Sequence, residues 1–476
     1  MTSNSSHHHH HHDQPSVVPP SRLSTAAVLS LKEALLQGNA IYVLDGGVST
    51  HLQWNLCRGI PFCYPELWSS SLLLSNNEDQ ETADQEIAAT VASTSQTRSD
   101  DDDYHSKQFA CHGHELIYQG HLDWLQAGAN IVSTVTYQCH YESRLWPHHA
   151  SLSLSSVTMD TMMETAVDLA RRAIADGTDQ QHLKASETQP VNCRRRRRPQ
   201  WIAVSLGCFG AALANGAEYT GAYCETDLEH QDNPLPLARI GTKTIDELMV
   251  FHQPRILKAI ELKDVDAIAL ETIPSLLECK ALVKLLTSPT FPSDTQSSLP
   301  AFWISLACRN GSELNDGTPV VQALRVLREI PVDILQGIGF NCCDSQYLRS
   351  LCQLLVQEYL EHAAAADAIN SFHRRLGAVR AILLYPNSGE TYDADAKDWV
   401  PHTGCRDGST LADRLSQIVH DIRDQWRKGM TDMEKQEGID KGPLPVPTIV
   451  LGGCCRTQPD TISRLRHWVD AQTQEH

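Results

Sequence analysis

Short apolar runs of strand length recur along the chain, separated by longer stretches with helical spacing. The runs are Ile41–Leu44, Asn130–Val135, Trp201–Leu206, Ala267–Leu270, Phe302–Ala307, Leu335–Phe340, Val379–Leu384 and Thr448–Leu451. Between them, apolar residues three and four positions apart predict helices over Met159–Ala175, Ile245–Leu262, Ser275–Leu286, Val320–Ile330, Ser345–His362, Ser409–Arg427 and Pro459–Ala471.

Near-continuous apolar strands alternating with amphipathic helices indicate a parallel sheet covered on both faces. Eight such units fit a single-domain α/β protein closed as a (β/α)8 TIM barrel over 21–476. An open doubly wound sheet is the competing topology, but no G-x-G-x-x-G follows the first strand, which disfavours its dinucleotide-binding version. Three polar stretches, 75–108, 176–200 and 428–445, interrupt the pattern and read as surface insertions. The segment 1–20 contains His7–His12, which has the form of an affinity tag and is set aside from metal arguments.

Charge narrows the partners. With 39 Lys+Arg against 58 Asp+Glu the chain carries −19, which disfavours a non-specific nucleic-acid binder. The five consecutive arginines 194–198 therefore read as part of a solvated loop. No apolar run approaches the roughly 18 residues of a membrane span. The 15 cysteines are an odd number in a long chain without a secretory signal pattern near its start. A reducing, cytoplasmic setting is the expectation, with thiols buried, metal-bound or reactive. The oligomeric state is left open.

Active sites of such barrels are built at the C-terminal ends of the strands. In order, those ends supply Asp45-Gly46-Gly47, Thr134-Val135-Thr136-Tyr137, Gly207-Cys208-Phe209-Gly210, Glu271-Thr272, Asn341-Cys342-Cys343, Tyr385-Pro386-Asn387 and Gly452-Gly453-Cys454-Cys455. No C-x-x-C pair is present, so the local metal signal is weak. Strands six and eight have one strand between them, however, so Cys342 can meet Cys454 and Cys455 above the barrel. Three sulfur ligands would leave a fourth position on zinc for a thiol substrate. A vicinal Cys454–Cys455 disulfide, or plain buried cysteines, would account for the same residues. Cys208 and Cys308 read as small core residues, and strand alternation points Cys343 away from Cys342.

Several motifs together resemble the homocysteine S-methyltransferases. They are Leu-Asp-Gly-Gly (44–47), Thr-Val-Thr-Tyr-Gln (134–138), Asn-Gly-Ala-Glu-Tyr-Thr-Gly (215–221), Glu-Thr-Ile-Pro (271–274), Asn-Asp-Gly-Thr (315–318), Phe-Asn-Cys (340–342), Tyr-Pro-Asn-Ser-Gly-Glu (385–390) and Gly-Gly-Cys-Cys-Arg (452–456). The resemblance implies a (β/α)8 barrel with one Zn2+ held by Cys342, Cys454 and Cys455. It further implies L-homocysteine as methyl acceptor and S-methylmethionine or S-adenosylmethionine as the sulfonium donor. Asp45 and Glu271 are then candidates for the homocysteine ammonium, and Gly46 and Gly47 for close approach of its carboxylate. Thr136 and Tyr137 either line the pocket or cap the second strand. Tyr385 and Asn387 either shape the donor site or form a rigid turn around Pro386, and Tyr219 offers an aromatic face to a cation. A betaine-using methyltransferase shares the zinc motif, and a non-catalytic zinc–thiolate redox sensor is the alternative of another class. Intact Asp45 and Glu271 argue against the sensor, and the absence of lysine at the strand ends argues against a barrel aldolase.

Overall fold

A computed structural model describes residues 29–57, 67–74, 113–142, 156–188, 198–223, 242–292, 299–365, 379–390, 392–393, 398–400, 403–405, 407–437 and 445–474. Eight parallel strands form one sheet: β1 (Ile41–Val43), β2 (Ile131–Ser133), β3 (Trp201–Gly207), β4 (Ala267–Ile273), β5 (Ala301–Leu306), β6 (Gly337–Asp344), β7 (Ala381–Asn387) and β8 (Ile449–Leu451). The spatial order is β1-β8-β7-β6-β5-β4-β3-β2, and a parallel bridge between Leu44 and Ile131 closes it from β1 back to β2. The Asp45 N–H donates to the Ile131 carbonyl at 3.0 Å across the same seam. The result is the expected (β/α)8 barrel.

Each strand is followed by a helix: α1 (Gly113–Ala127), α2 (Ser156–Thr188), α3 (Ile245–Glu261), α4 (Leu276–Leu286), α5 (Val320–Leu327), α6 (Leu348–Ala365), α7 (Gly408–Glu437) and α8 (Pro459–Gln474). Thr244 and Glu247 form a capping box at the start of α3, and Ser275 caps α4 by accepting from the Glu278 N–H.

Two of the expected insertions begin too early. Helix α2 continues to Thr188 and α7 to Glu437, so 176–188 and 428–437 are helical. Helical spacing on one exposed face is weak in apolar residues and is easily mistaken for a loop. The 75–108 segment, His7–His12 and Arg194 to Arg197 lie outside the described residues. Arg198 is described, and it pairs with Asp470 at 2.5 Å. Helix α1 escaped the sequence reading, because its polar face dilutes the apolar stripe of Ile117, Trp124 and Leu125.

Strand alternation sorts the interior into two layers. Trp201, Ala203, Ala267, Ala269, Ala301, Trp303, Ala381 and Leu383 fill the barrel with Ile131 and Val450, and the short helix Leu31–Leu36 packs on this cluster. Val204, Ile268, Leu270, Phe302, Ile304, Ile382 and Leu384 face outward into the larger core beneath the helices. The inward phase continues along β3, β4, β5 and β7 to Ser205, Glu271, Ser305 and Tyr385. Polar groups therefore replace alanine and tryptophan at the C-terminal mouth. Among the described residues no helix is long and apolar enough to cross a membrane.

Candidate active site

The mouth of the barrel opens into a cavity lined by Asp45, Gly46, Gly47, Tyr137, Glu271, Cys342, Tyr385, Cys454 and Cys455, with Glu218, Tyr219 and Trp68 also on its wall. The sulfur atoms of Cys342, Cys454 and Cys455 all lie within 4.8 Å of one another. The sulfurs of Cys342 and Cys454 are joined as a disulfide, whereas Cys454 and Cys455 are not joined to each other. Three cysteine sulfurs, one from β6 and two from the loop after β8, thus share one point, as the barrel topology suggested. Three converging sulfurs are a soft donor set suited to zinc.

Local backbone geometry brings Cys342 there. The β6–β7 register shifts between Asn341 and Asp344, and Cys342 takes φ +47°. Regular alternation from the inward Asn341 would have turned Cys342 outward. The shift instead sends Cys343 into the outer core, where burial pushes its thiol up to about 12. Strand β4 has the same irregularity, with Thr272 at φ +62°. The Asn341 side chain connects the two sites: its Oδ1 accepts from the Thr272 N–H at 2.9 Å and its Nδ2 donates to Thr272 Oγ1 at 2.8 Å.

Asp45 is buried and Glu271 is half-buried. Asp45 accepts from the Ser133 N–H at 2.5 Å and from its hydroxyl at 3.1 Å. Desolvation nonetheless holds its carboxyl well above the usual range, with nearby Glu271 adding to the effect. Glu271 is hydrogen-bonded by the Ser205 hydroxyl, and burial raises it too. A cation bound between Asp45 and Glu271 would offset this cost. Burial raises the Cys455 thiol to about 11, opposed by the hydrogen bond from the Tyr219 hydroxyl.

Gly46 and Gly47 line the cavity, but their tight contacts are with the protein. A Cβ on Gly46 would strike the Trp124 ring, and one on Gly47 would strike the carbonyl oxygen of Cys454. The glycines let the β1 loop lie against the loop that carries two of the thiols.

Two expected substrate contacts are not on the wall. Thr136 is fully buried; its hydroxyl donates to the Ser205 carbonyl at 2.7 Å and contacts Thr134 Oγ1 at 2.6 Å, tying β2 to β3. Asn387 lies beyond the cavity, where its Oδ1 accepts from the Gly389 N–H at 2.9 Å and closes a turn. Tyr385 does reach the cavity. Its hydroxyl donates to Ser305 Oγ at 2.6 Å and accepts from Trp303 Nε1 at 3.2 Å, so its ring is fixed from below.

Sequence reading missed the groups behind the wall. Arg255, fully buried, donates to the carbonyls of Cys139, Gly207 and Tyr137 at 2.8, 2.7 and 3.1 Å and so pins the loops after β2 and β3. Buried Glu278 accepts from the Phe209 N–H at 2.8 Å, bonds His252 Nε2 at 2.7 Å and takes the Tyr223 hydroxyl. Arg456 meets Glu390 at 3.1 Å, joining the loops after β8 and β7. A polar residue on an amphipathic helix gives no sequence sign of which way it points. Glu390 and Arg456, by contrast, already stood within the motifs.

The family model described as homocysteine S-methyltransferase matches residues 42–469. The chain belongs to the homocysteine S-methyltransferase family. It is accordingly a methyltransferase. Homocysteine S-methyltransferase YbgG of Bacillus subtilis is 28% identical over 354 residues, spanning 74% of this chain and 84% of the relative. Selenocysteine Se-methyltransferase of Brassica oleracea var. italica is 25% identical over 436 residues, spanning 92% of this chain and 91% of the relative. The solved oxidized form of homocysteine methyltransferase MmuM from Escherichia coli shares the fold, with a TM-score of 0.53, 23% identity and coverage of 92% of this chain and 98% of that one.

Proposed function

We propose that this chain moves a methyl group from a sulfonium donor, S-methylmethionine or S-adenosylmethionine, to the sulfur of L-homocysteine, giving methionine. The observation that carries this reading is the convergence of three cysteine sulfurs with the carboxylates of Asp45 and Glu271 in one barrel mouth. Cys342, Cys454 and Cys455 would hold Zn2+ once Cys342 and Cys454 are reduced. Bound there, zinc would supply Lewis acidity that favours the thiolate form of a thiol substrate.

The chain's own residues would orient the acceptor. Asp45 and Glu271 would face its ammonium group, and the hydrogen bonds they accept from Ser133 and Ser205 fix their positions before substrate arrives. Attack by the homocysteine sulfur forms one S–CH3 bond as the donor's S–CH3 bond breaks. The bonding pair returns to the donor sulfur, which leaves as a neutral thioether. No leaving-group proton is needed, in keeping with a cavity wall that includes no histidine among its described residues. Tyr219, half exposed at the mouth, would offer its ring to the cationic donor.

Purified protein given homocysteine and, separately, S-methylmethionine, S-adenosylmethionine or betaine is expected to form methionine with one or both sulfonium donors. Turnover with betaine alone would overturn the donor assignment, and turnover with none would overturn methyl transfer to homocysteine.

A further inference from the structure

Three carboxylates reach the cavity, and they are not equivalent. Asp45 is hydrogen-bonded by Ser133, and Glu271 by Ser205. Glu218 sits on the short helical turn Ala217–Tyr219, and its Oε2 is buried without a hydrogen-bond partner. Leaving a buried carboxylate oxygen without a donor or a cation is costly, on the order of a few kcal/mol. Such a group calls for a ligand that completes it.

The turn itself is well anchored. Asn315 Nδ2 donates to the Glu218 carbonyl at 2.9 Å, and the Gly221 N–H donates to the Ala217 carbonyl at 2.8 Å. At the chain positions flanking the turn, Phe209 and Tyr223 both bond Glu278. Glu218 is therefore held facing the cavity, close enough to Cys455 and Tyr219 for its charge to act on both.

We propose that Glu218 is the counter-ion of the methyl donor's cationic centre, seated beside the thiol cluster. This inference rests on the methyl-transfer reading above, which assigns Asp45 and Glu271 to the acceptor and leaves Glu218 with no other role. A sulfonium or quaternary ammonium centre has no N–H to donate, so charge rather than hydrogen bonding must recognise it. Glu218 supplies the charge and Tyr219 an aromatic face.

The reaction gives this role a kinetic signature. A thiolate and a sulfonium become two neutral thioethers, so the donor's positive charge is greatest in the bound ground state and shrinks along the path. A counter-ion at that centre favours the bound donor over the transition state. It lowers the donor KM without raising kcat.

The test uses the zinc-loaded full chain and its Glu218→Gln and Glu218→Asp variants. S-methylmethionine, S-adenosylmethionine and betaine are titrated calorimetrically into each, alongside steady-state kinetics. Whichever donor binds the wild type is expected to bind E218Q about tenfold or more weakly, with E218D retaining part of the affinity. The donor KM should rise in parallel, with kcat undiminished and the homocysteine KM and zinc content unchanged. Equal donor affinity in wild type and E218Q, failure of every donor to bind the wild type, or a fall in kcat at constant donor affinity would overturn the assignment. Donor binding that depends on Glu218 in a wild type unable to methylate homocysteine would sink the methyl-transfer reading and leave the counter-ion role standing.

Discussion

Asn341 of β6 reaches across the intervening strand β5 to hold Thr272 of β4 by two hydrogen bonds, at 2.9 and 2.8 Å. Thr272 and Cys342, the residue that follows Asn341, both have positive φ. A non-glycine residue there costs about 1–2 kcal/mol and persists only where its surroundings enforce it. The side-chain amide stabilises both irregularities together, and with them the inward turn of Cys342 and the position of Glu271.

Asn341→Ala should therefore act on the site more than on the barrel. Loss of two buried hydrogen bonds, one of them leaving an N–H unpaired, is expected to lower stability by about 2 kcal/mol. Zinc affinity should fall together with activity, because Cys342 is no longer held inward. Chemical denaturation and competitive zinc titration measure the two effects. Unchanged zinc affinity would show that Cys342 finds its place without Asn341.

Cys454→Ala tests the metal assignment directly. In protein lacking residues 1–14, which removes the His run as a false source of metal, the wild type is expected to carry one zinc and the variant none. Methyl transfer should be lost while the far-ultraviolet circular dichroism stays that of a folded barrel. Zinc retained at full stoichiometry, or persistent turnover, would refute the ligand set.

Gly47→Ala probes the contact between the β1 and β8 loops. The new Cβ would lie closer than 3.0 Å to the Cys454 carbonyl oxygen and to Thr50 Oγ1. Overpacking of this kind typically costs about 1–3 kcal/mol. Because the strain falls on the backbone of a thiol-bearing residue, zinc loading should drop along with the melting temperature. A variant that loads zinc as the wild type does would place the Gly47 constraint elsewhere.

Two buried histidines should each favour unfolding in acid. His121, with neither ring nitrogen hydrogen-bonded, has its pKa pushed by burial from 6.5 down to about 4, and burial likewise pushes His140 to about 3. At these two histidines the unfolded chain binds more protons than the native one below about pH 6.5, so the stability they contribute is lost as pH drops from there towards 4 and 3. The His121 shift alone corresponds to about 3 kcal/mol. Protonation of the raised carboxyls of Asp45 and Glu271 acts in the opposite direction, so the measure is the difference: between pH 7 and pH 4 the urea midpoint of His121→Phe should change less in the destabilising sense than that of the wild type. An identical slope in that variant would remove His121 as a cause.

Much of the architecture could be read along the chain because strand and helix periods are local properties. Ala267, Ala269 and Glu271 sit two residues apart, so the step from small apolar filler to carboxylate on one strand face is visible in the sequence. Helix ends were harder to place. Residues 176–188 and 428–437 continue their helices on polar sequence, where no apolar stripe distinguishes helix from loop. Thr136 and Asn387 sat in the right motifs yet spend their polar atoms on neighbouring backbone, a choice that depends on which groups lie within 3 Å.

The sequence by itself determined that eight strands alternate with helices and that thiols and carboxylates follow the strand ends. Those features are set by residue type and spacing. Tertiary structure alone decided which side chains enter the cavity. Cys342 turns inward at a backbone irregularity that alternation would not produce, and Asn341 stabilises it through a residue 69 positions away in sequence. Glu218 gains its character the same way. Its Oε2 loses solvent without gaining a partner only because the turn that carries it is fastened over the barrel mouth, and no local pattern records that loss.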